Sequence, residues 1–243
     1  MVDKENIERH LVVEKKNEVT TVWTAEKSRI QDEEVLYSAM GYSVFETLKP
    51  KNVIFEGWRD KFVYNITKDA MAKTDSDLKV RLMSIGATHA NGVKDIRNVA
   101  KFMELAGRHC LIVSDADAPA LQHKKQYQEP TAWGEWKTLQ DIFGAGPVVT
   151  AEDLITAAAV IKRANKFRVT ISGLSAATEA TLAGAQPTVG ALTTWLQSAG
   201  LDGGALADAT ANLKAALFEG LKRSELKDEA EQLVRFVDSH AFD

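Results

Sequence analysis

Cysteine is nearly absent from the sequence, which has only Cys110 among its 243 residues. A single cysteine forms no disulfide within the chain and supplies no cysteine-rich zinc site, so a reducing compartment is indicated. Long hydrophobic runs are also missing, and the first residues carry charges where a signal peptide needs an apolar segment. We therefore expect a cytoplasmic protein that does not bind membranes.

The sequence also has no excess of basic residues. Its 34 acidic and 30 basic side chains give a formal net charge of −4, whereas most autonomous DNA-binding domains are basic. A phosphate-binding loop of the form Gly-x4-Gly-Lys-Ser/Thr is missing, so an ATPase of that kind is not encoded here. Hydrophobic residues make up 45% of the chain, which is enough for a real core and excludes a disordered chain.

Strand-like and helix-like segments alternate through the middle of the chain, and the rest is helical and rich in alanine from Thr150 onward. The predicted strands lie at 8–15, 19–25, 52–55, 79–85, 109–114 and 147–149, with a turn at 17–18. The predicted helices lie at 32–48, 60–72, 94–105 and 136–143. This alternation predicts an α/β fold in which helices flank a parallel sheet, with a helical C-terminal subdomain.

Carboxylates follow two of the apolar strands at the point where each strand ends. Glu56 and Asp60 come after the strand at 52–55, and Asp115 and Asp117 come after the strand at 109–114. Ligands of parallel sheets bind beyond the carboxyl ends of the strands, so we expect these side chains to converge. Close carboxylates repel one another and raise their own pKa values, and a divalent metal ion removes that repulsion. An Asp-x-Asp alone is better explained as a capped turn, but its pairing with Glu56 favours a metal site.

The pair of a strand followed by Glu-Gly and a strand followed by Asp-x-Asp resembles the Toprim domain, the metal-binding fold shared by topoisomerases, primases and a group of nucleases. Within that group the chain is similar to the overcoming-lysogenization-defect (OLD) nucleases, whose Toprim half follows an ATPase half. Three segments carry this likeness: Glu56-Gly57-x-x-Asp60, Ser84-Ile85-Gly86 with Gly92, and 147–154 with its Glu152-Asp153-Leu154 helix start. Ala118-Pro119-Ala120 departs from the pattern, because glycine is common there in Toprim proteins.

The resemblance covers about residues 52–154 and implies three parts. These are an N-terminal hairpin with a lead-in helix over 1–50, a Toprim catalytic domain over 51–155, and a helical appendage over 156–243. The resemblance implies phosphodiester hydrolysis with Mg²⁺ or Mn²⁺, and the number of carboxylates allows two ions. It implies that Glu56, Asp115 and Asp117 hold one ion and that Asp60 and Glu152 help to hold the second. Glu152 and Asp153 are equally well explained as acids in the first turn of a helix capped by Thr150.

Basic residues near these motifs are candidates for phosphate contacts. A lysine beside the scissile phosphate would stabilise its developing charge, and Lys124 and Lys125 are candidates by position, with Lys61 a weaker one. His123 belongs to the same short basic group. Four further cations follow the Glu152 helix start, and they are Lys162, Arg163, Lys166 and Arg168. We expect DNA contacts from Lys125, Lys162, Arg163 and Lys166, although a solvated surface explains such runs equally well.

The function that the sequence predicts is a metal-dependent DNA endonuclease of the OLD/Toprim type, which works with an ATPase domain or subunit. The sequence is also compatible with a homodimer. Other Toprim phosphoryl transfers, such as primase-like synthesis or RNA cleavage, are the alternatives among enzymes, because a metal site alone does not choose among them. The alternative outside enzymes is a Toprim assembly module without activity. Metal-dependent cleavage separates that module from the enzymes.

Overall fold

The computed structural model describes residues 11–16, 19–24, 48–127, 133–144, 146, 148–184 and 187–242. It contains a four-stranded parallel sheet flanked by helices, followed by a helical C-terminal region, as the sequence predicts. Nearly all of the predicted lead-in helix at 32–48 and the predicted turn at 17–18 lie outside the described residues. Among the residues that are described, no helix is both long enough and apolar enough to cross a bilayer.

The strands are β1 (Leu11–Lys16), β2 (Val19–Thr24), β3 (Lys51–Phe55), β4 (Ile85–His89), β5 (His109–Ser114) and β6 (Glu135–Thr138). The helices are α1 (Trp58–Met71), α2 (Ser76–Met83), α3 (Ile96–Leu105), α4 (Ala118–Tyr127), α5 (Leu139–Phe143), α6 (Ala157–Arg168), α7 (Thr188–Gln197), α8 (Gly203–Phe218) and α9 (Glu229–Phe242). Short 3-10 turns lie at Val93–Asp95, Ala151–Leu154, Glu179–Leu182 and Arg223–Glu225.

β1 and β2 form an antiparallel hairpin of their own, with Leu11 opposite Thr24. This confirms both predicted N-terminal strands. The side chains of Leu11, Val13 and Val22 are exposed, and a two-stranded hairpin buries too little apolar surface to be stable alone.

The strand order of the parallel sheet is β4-β3-β5-β6. The chain moves outward from β3 to β4 and then returns across β3 to β5, so the winding direction reverses between β3 and β5. Phe55 at the end of β3 is level with His89 of β4 and Val113 of β5. Such a reversal leaves a crevice beyond the carboxyl ends of the two central strands, where ligands of open α/β sheets bind.

Both faces of the central strands are buried, which explains why β3 and β5 are apolar almost throughout. Val53 and Phe55 pack into a core with α1 and the C-terminal helices, and that core extends as far as Val237. Ile54 and Ile112 point to the opposite face, where they pack with α3 and with Tyr127 of α4. The sheet is therefore covered on both sides.

The C-terminal helices share a core with the sheet. α9 packs against α1, α2 and α5 and also touches β3 and β5. Leu226 forms an isolated bridge with Ile155, and Arg81 of α2 forms a bidentate pair with Asp238 of α9. The core therefore crosses the boundary predicted between residues 155 and 156.

The predicted strand at 79–85 is wrong in position, because this stretch is mostly the helix α2 and the strand that follows it is β4. Asp75 begins the helix by accepting a hydrogen bond from the backbone N–H of Leu78 (2.9 Å). Leu78 and Leu82 lie one helical turn apart and are both buried. The following Ile85 and Gly86, part of the segment that resembles Toprim proteins, do belong to a strand.

Two further predictions around the Asp-x-Asp motif need correction, and one helix was missed. Residues 136–138, the start of the predicted helix at 136–143, belong to strand β6, and α5 begins only at Leu139 because Thr138 caps it. The stretch predicted as a strand at 147–149 has no strand at Val148 or Val149. The carbonyl of Val149 instead accepts the N–H of Ala116 (2.8 Å), which ties this loop to the end of β5. Helix α4 was not predicted.

Candidate active site

The ends of β3 and β5 are joined by hydrogen bonds that involve Glu56. The N–H of Glu56 donates to the carbonyl of Val113 (3.0 Å), which continues the parallel pairing by one residue. The N–H of Asp115 donates to Oε2 of Glu56 (3.2 Å). The two predicted motifs are thus brought together at the crevice where the sheet reverses its winding.

Asp60 reaches the same place from the first turn of α1. Its Oδ2 accepts the N–H of Gly57 (3.1 Å), which is the interaction of an acid at a helix start. The side chain is buried and lines the same cavity as Glu56 and Asp115. Asp60 therefore caps its helix and also faces the site.

The two aspartates of the Asp-x-Asp motif have different surroundings. Oδ1 of Asp115 is buried and accepts no hydrogen bond from the part of the chain that the structure describes. Oδ1 of Asp117 accepts the N–H of Ala120 (2.9 Å) at the start of α4, as an aspartate in a capped turn does. Of the two, Asp115 is the one that faces the cavity with an unused acceptor.

Glu152 and Asp153 are equally buried neighbours with distinct partners. Oδ2 of Asp153 accepts the N–H groups of Val149 (3.0 Å) and Thr150 (2.9 Å), and its Oδ1 accepts the N–H of Thr188 (2.7 Å). Both carboxylate oxygens of Asp153 therefore accept hydrogen bonds from backbone N–H groups. Glu152 instead lines the cavity with Glu56, Asp60 and Asp115.

A lysine that sequence reasoning missed lies at this cluster. Nζ of Lys214, from α8, is 3.2 Å from Oε1 of Glu152, and Lys214 lines the cavity. It is the only basic residue of its alanine-rich helix. No local motif marks Lys214, and its position depends on how α8 packs onto the sheet.

Burial and mutual repulsion raise the pKa values of three carboxyl groups here. Burial, followed by the charge of Asp117, raises the pKa of Glu56 to about 7. Burial, followed by the charges of Glu56 and Glu152, raises the pKa of Asp60 to about 7. Burial and the charge of Asp60 are the main causes that raise the pKa of Asp115 well above its usual value, while Lys214 opposes the rise. The cluster therefore retains protons near neutral pH.

The cavity at the cluster has a volume of about 310 Å³. On one side it is lined by Arg59, whose guanidinium lies 5.1 Å from the centre of the Trp58 ring and 5.9 Å from that of Phe218. On another side it is lined by Asn91 and Gly92, which follow β4. The cavity thus contains carboxylates together with two cationic side chains.

The donor set suits a hard divalent cation in kind, because Mg²⁺ and Mn²⁺ prefer carboxylate oxygens. Glu56, Asp60, Asp115 and Glu152 are the residues available to hold such an ion, and no described residue donates a hydrogen bond to the buried Oδ1 of Asp115. Over the described ranges, however, no group of three or more His, Cys, Asp or Glu side chains is arranged so that it could hold a metal ion.

The basic residues that the sequence singled out are not among the residues that line this cavity. Lys124 pairs with Asp141 (2.6 Å), and Lys125 is exposed on α4. Lys162 and Lys166 are exposed on α6, where they lie 3.7 Å from Glu225 and 3.3 Å from Glu219.

Arg163 differs from these lysines because its side chain is buried. Its guanidinium forms a bidentate pair with Glu225 (2.9 and 2.8 Å) and joins α6 to the Arg223–Glu225 turn. An arginine held in this way is not available to DNA, which argues against the predicted DNA contact of Arg163.

Comparisons with protein-family models, curated proteins and solved structures found no match for this chain.

Proposed function

We propose that the chain is a metal-dependent DNA endonuclease of the Toprim type, similar to the OLD nucleases and dependent on an ATPase domain or subunit. The observation that carries this proposal is the cluster of Glu56, Asp60, Asp115 and Glu152 at the carboxyl ends of β3 and β5. Burial raises the pKa values of Asp60 and Asp115, and the charges of neighbouring carboxylates, Glu56 and Glu152 among them, raise these values further. A divalent cation relieves this repulsion.

The four carboxylates would have to move closer together to hold one or two Mg²⁺ or Mn²⁺ ions, because no three of them are arranged as a metal site in the described residues. Asp117 is near enough for its charge to add to the effect of burial on the pKa of Glu56. When bound, such ions supply Lewis acidity and an activated water for in-line displacement at phosphorus. The backbone N–H of Asp115 would orient the Glu56 carboxylate through the hydrogen bond that joins the two strand ends.

Lys214 is the cation best situated to stabilise negative charge on the scissile phosphate. Its ammonium lies within 3.2 Å of Glu152 in the cavity, whereas the ammonium of Lys124 is engaged by Asp141. We therefore propose Lys214 for the role that the sequence suggested for Lys124. Arg59 is the other cation of the cavity and would contact a neighbouring phosphate.

The first prediction is that the purified chain nicks or linearises supercoiled plasmid DNA in Mg²⁺ or Mn²⁺ and does neither in EDTA. Asp115→Asn should abolish cleavage, because it removes the charge of the carboxylate that has an unused buried oxygen. The matched control is Asp141→Asn, which changes an aspartate paired with Lys124 away from the cluster. Agarose gels of plasmid topology give the readout.

Three outcomes would decide against this proposal. Cleavage by Asp115→Asn at the wild-type rate would exclude the carboxylate cluster as the active site. Cleavage of a matched RNA but not of DNA would favour the alternative of an RNA-cleaving enzyme. If a preparation that binds metal cleaves neither substrate, with and without an added ATPase partner, the assembly module is favoured.

A further inference from the structure

A second, basic cavity lies on the face of the sheet that α3 and α4 cover, between these two helices and the turn at Val93–Asp95. Its volume is about 190 Å³. Three of its lining residues, Lys94, Arg97 and His123, carry basic side chains, and its described lining includes no aspartate or glutamate. The aromatic rings of Tyr127 and Trp136 line it as well.

Acidic residues near this cavity in sequence have other partners, and Glu135, next to Trp136, pairs with Lys137 (2.6 Å). The carboxylate of Asp95 accepts the N–H of Asn91 (3.3 Å) and the side-chain amide of Asn98 (3.0 Å). Glu104, further along α3, pairs with Lys101 (2.7 Å). Among the described residues, none of these carboxylates forms a salt bridge with Lys94 or Arg97.

The guanidinium of Arg97 is held in position by neutral groups. Its Nη2 donates to the backbone carbonyl of Gln126 (3.2 Å), and its centre lies 6.0 Å from the ring of Tyr127. A guanidinium that makes one neutral hydrogen bond keeps several N–H donors for an anion, and its planar fork matches a phosphate. His123, half-buried on α4, adds a further donor on the facing helix.

The basic cavity adjoins the carboxylate cluster through a single turn. Gly92 lines the carboxylate cavity, and the next two residues, Val93 and Lys94, line the basic one. The N–H of Gly92 donates to the carbonyl of Glu56 (3.0 Å), which fixes this turn to the end of β3. Gly92 has a φ of 87°, which a residue with a side chain rarely adopts, so the tight connection depends on glycine.

We propose that Lys94, Arg97 and His123 form a phosphate-binding subsite for a nucleic-acid strand whose scissile phosphate lies at the carboxylate cluster. The proposal rests on the proposed function for the identity of the ligand and extends it by assigning the path of the strand, over the Val93–Asp95 turn. The phosphate is either one of the strand backbone or a terminal 5′-phosphate. Lys94 and Arg97 provide its charge neutralisation.

The test measures DNA affinity apart from cleavage. Fluorescence anisotropy with a labelled oligonucleotide in EDTA, over a range of salt concentrations, is compared for the wild type and for Lys94→Gln/Arg97→Gln. We expect the double variant to bind about tenfold more weakly near 0.1 M salt, and the slope of log K against log salt to fall by about 1 to 2. Lys94→Gln alone, at an exposed position, should give a smaller change of the same sign.

The matched control is Lys73→Gln/Lys79→Gln, which removes the same charge from exposed positions near α2. An equal loss of affinity in the control would show a general charge effect and overturn the subsite. An unchanged slope in a double variant with the wild-type melting temperature would overturn it too.

Two further arms identify the phosphate and separate this proposal from the nuclease. If the variant loses affinity only for 5′-phosphorylated oligonucleotides, the subsite binds a terminal phosphate, and an equal loss for both kinds assigns it to the backbone. A wild type that binds through Lys94 and Arg97 but never cleaves would leave the subsite standing and remove the nuclease. Cleavage by the wild type, together with unchanged DNA binding by the double variant, would remove the subsite and leave the nuclease standing.

Discussion

At the scale of the residue, Glu152 and Asp153 show how two adjacent acids acquire different roles. Asp153 accepts three backbone N–H groups and so holds the start of a 3-10 turn to α7. Glu152 has the ammonium of Lys214 as its close charged neighbour and faces the cavity. The sequence alone left both explanations open for both residues.

This difference predicts opposite phenotypes for two conservative substitutions. Glu152→Gln should lower DNA cleavage at least about tenfold, equivalent to about 1.4 kcal/mol of barrier, with little change of melting temperature in EDTA. Asp153→Asn should lower the melting temperature, because an NH₂ group would face backbone donors and leave them unsatisfied at a cost of about 1–3 kcal/mol. Its cleavage rate at a temperature where it is folded should stay near that of the wild type. A Glu152→Gln protein that cleaves normally but melts lower would make Glu152 a helix-start residue only.

Glu56 provides a second test at this scale, through pH. Its pKa rises from 4.5 to about 7 on folding, so the folded state prefers the protonated form. The stability from this group is fully present below pH 4.5 and is lost as the pH rises through about 7. In EDTA, Glu56→Gln should therefore melt higher than the wild type at pH 8 and close to it at pH 4, since the amide oxygen can still accept the N–H of Asp115. Differential scanning calorimetry across this range measures the difference. A constant deficit of the variant at every pH would contradict the assignment.

At the scale of the element, the two internal strands were predicted and the two edge strands were not. β3 and β5 are covered on both faces, so they are apolar runs that the sequence displays directly. The edge strands β4 and β6, with sequences IGATH and EWKT, have few large apolar side chains and resemble loops or helix starts. Residues 79–85, most of them before β4, resemble a strand in sequence because Val80 and Leu82 alternate with charged residues.

The same reasoning explains which residues of the site could be predicted from the sequence. Carboxylates that end internal strands, or that stand beside them in a motif, can be located from local pattern alone. Lys214 of α8 cannot be located from local pattern. It lies 62 residues beyond Glu152 and reaches the cluster only through the packing of its helix. Lys124 and Lys125 were near the Asp-x-Asp motif in sequence, but α4 places one beside Asp141 and exposes the other.

A paired substitution distinguishes the two lysines. Lys214→Gln should lower cleavage at least about tenfold, since it removes a cation from a buried cluster of carboxylates and from the proposed phosphate position. Lys124→Gln removes a partly exposed ion pair with Asp141, which is worth about 0–1 kcal/mol of stability, and should leave the cleavage rate unchanged. Single-turnover cleavage in Mn²⁺ gives both rates. The reverse pattern would return the catalytic role to Lys124.

At the scale of the whole molecule, the sheet and the C-terminal helices share one continuous core. Residues from β3, α1, α8 and α9 all contribute to it, so the unit that holds the carboxylates also holds Lys214. We expect unfolding of this unit to occur in one cooperative transition, because no part of the core can be removed without exposing the rest. A ligand bound at the cluster would then stabilise the sheet and the helical region together.

Metal linkage tests this expectation and the metal site at once. A cation that binds only the folded state stabilises it by mass action, by about 2.7 kcal/mol at one hundred times its dissociation constant. Because Glu56 and Asp60 have pKa values of about 7, the ion must displace protons, and its affinity should rise as the pH rises from 6 to 8. Millimolar Mn²⁺ or Mg²⁺ should therefore raise the melting temperature more at pH 8 than at pH 6, with proton release detectable by calorimetry in buffers of different ionisation enthalpy.

The triple variant Glu56→Gln/Asp115→Asn/Glu152→Gln should lose the metal-induced rise in melting temperature, while Asp141→Asn should retain it. An equal shift in the triple variant would place metal binding outside the cluster, and a larger shift at pH 6 would contradict the proton linkage.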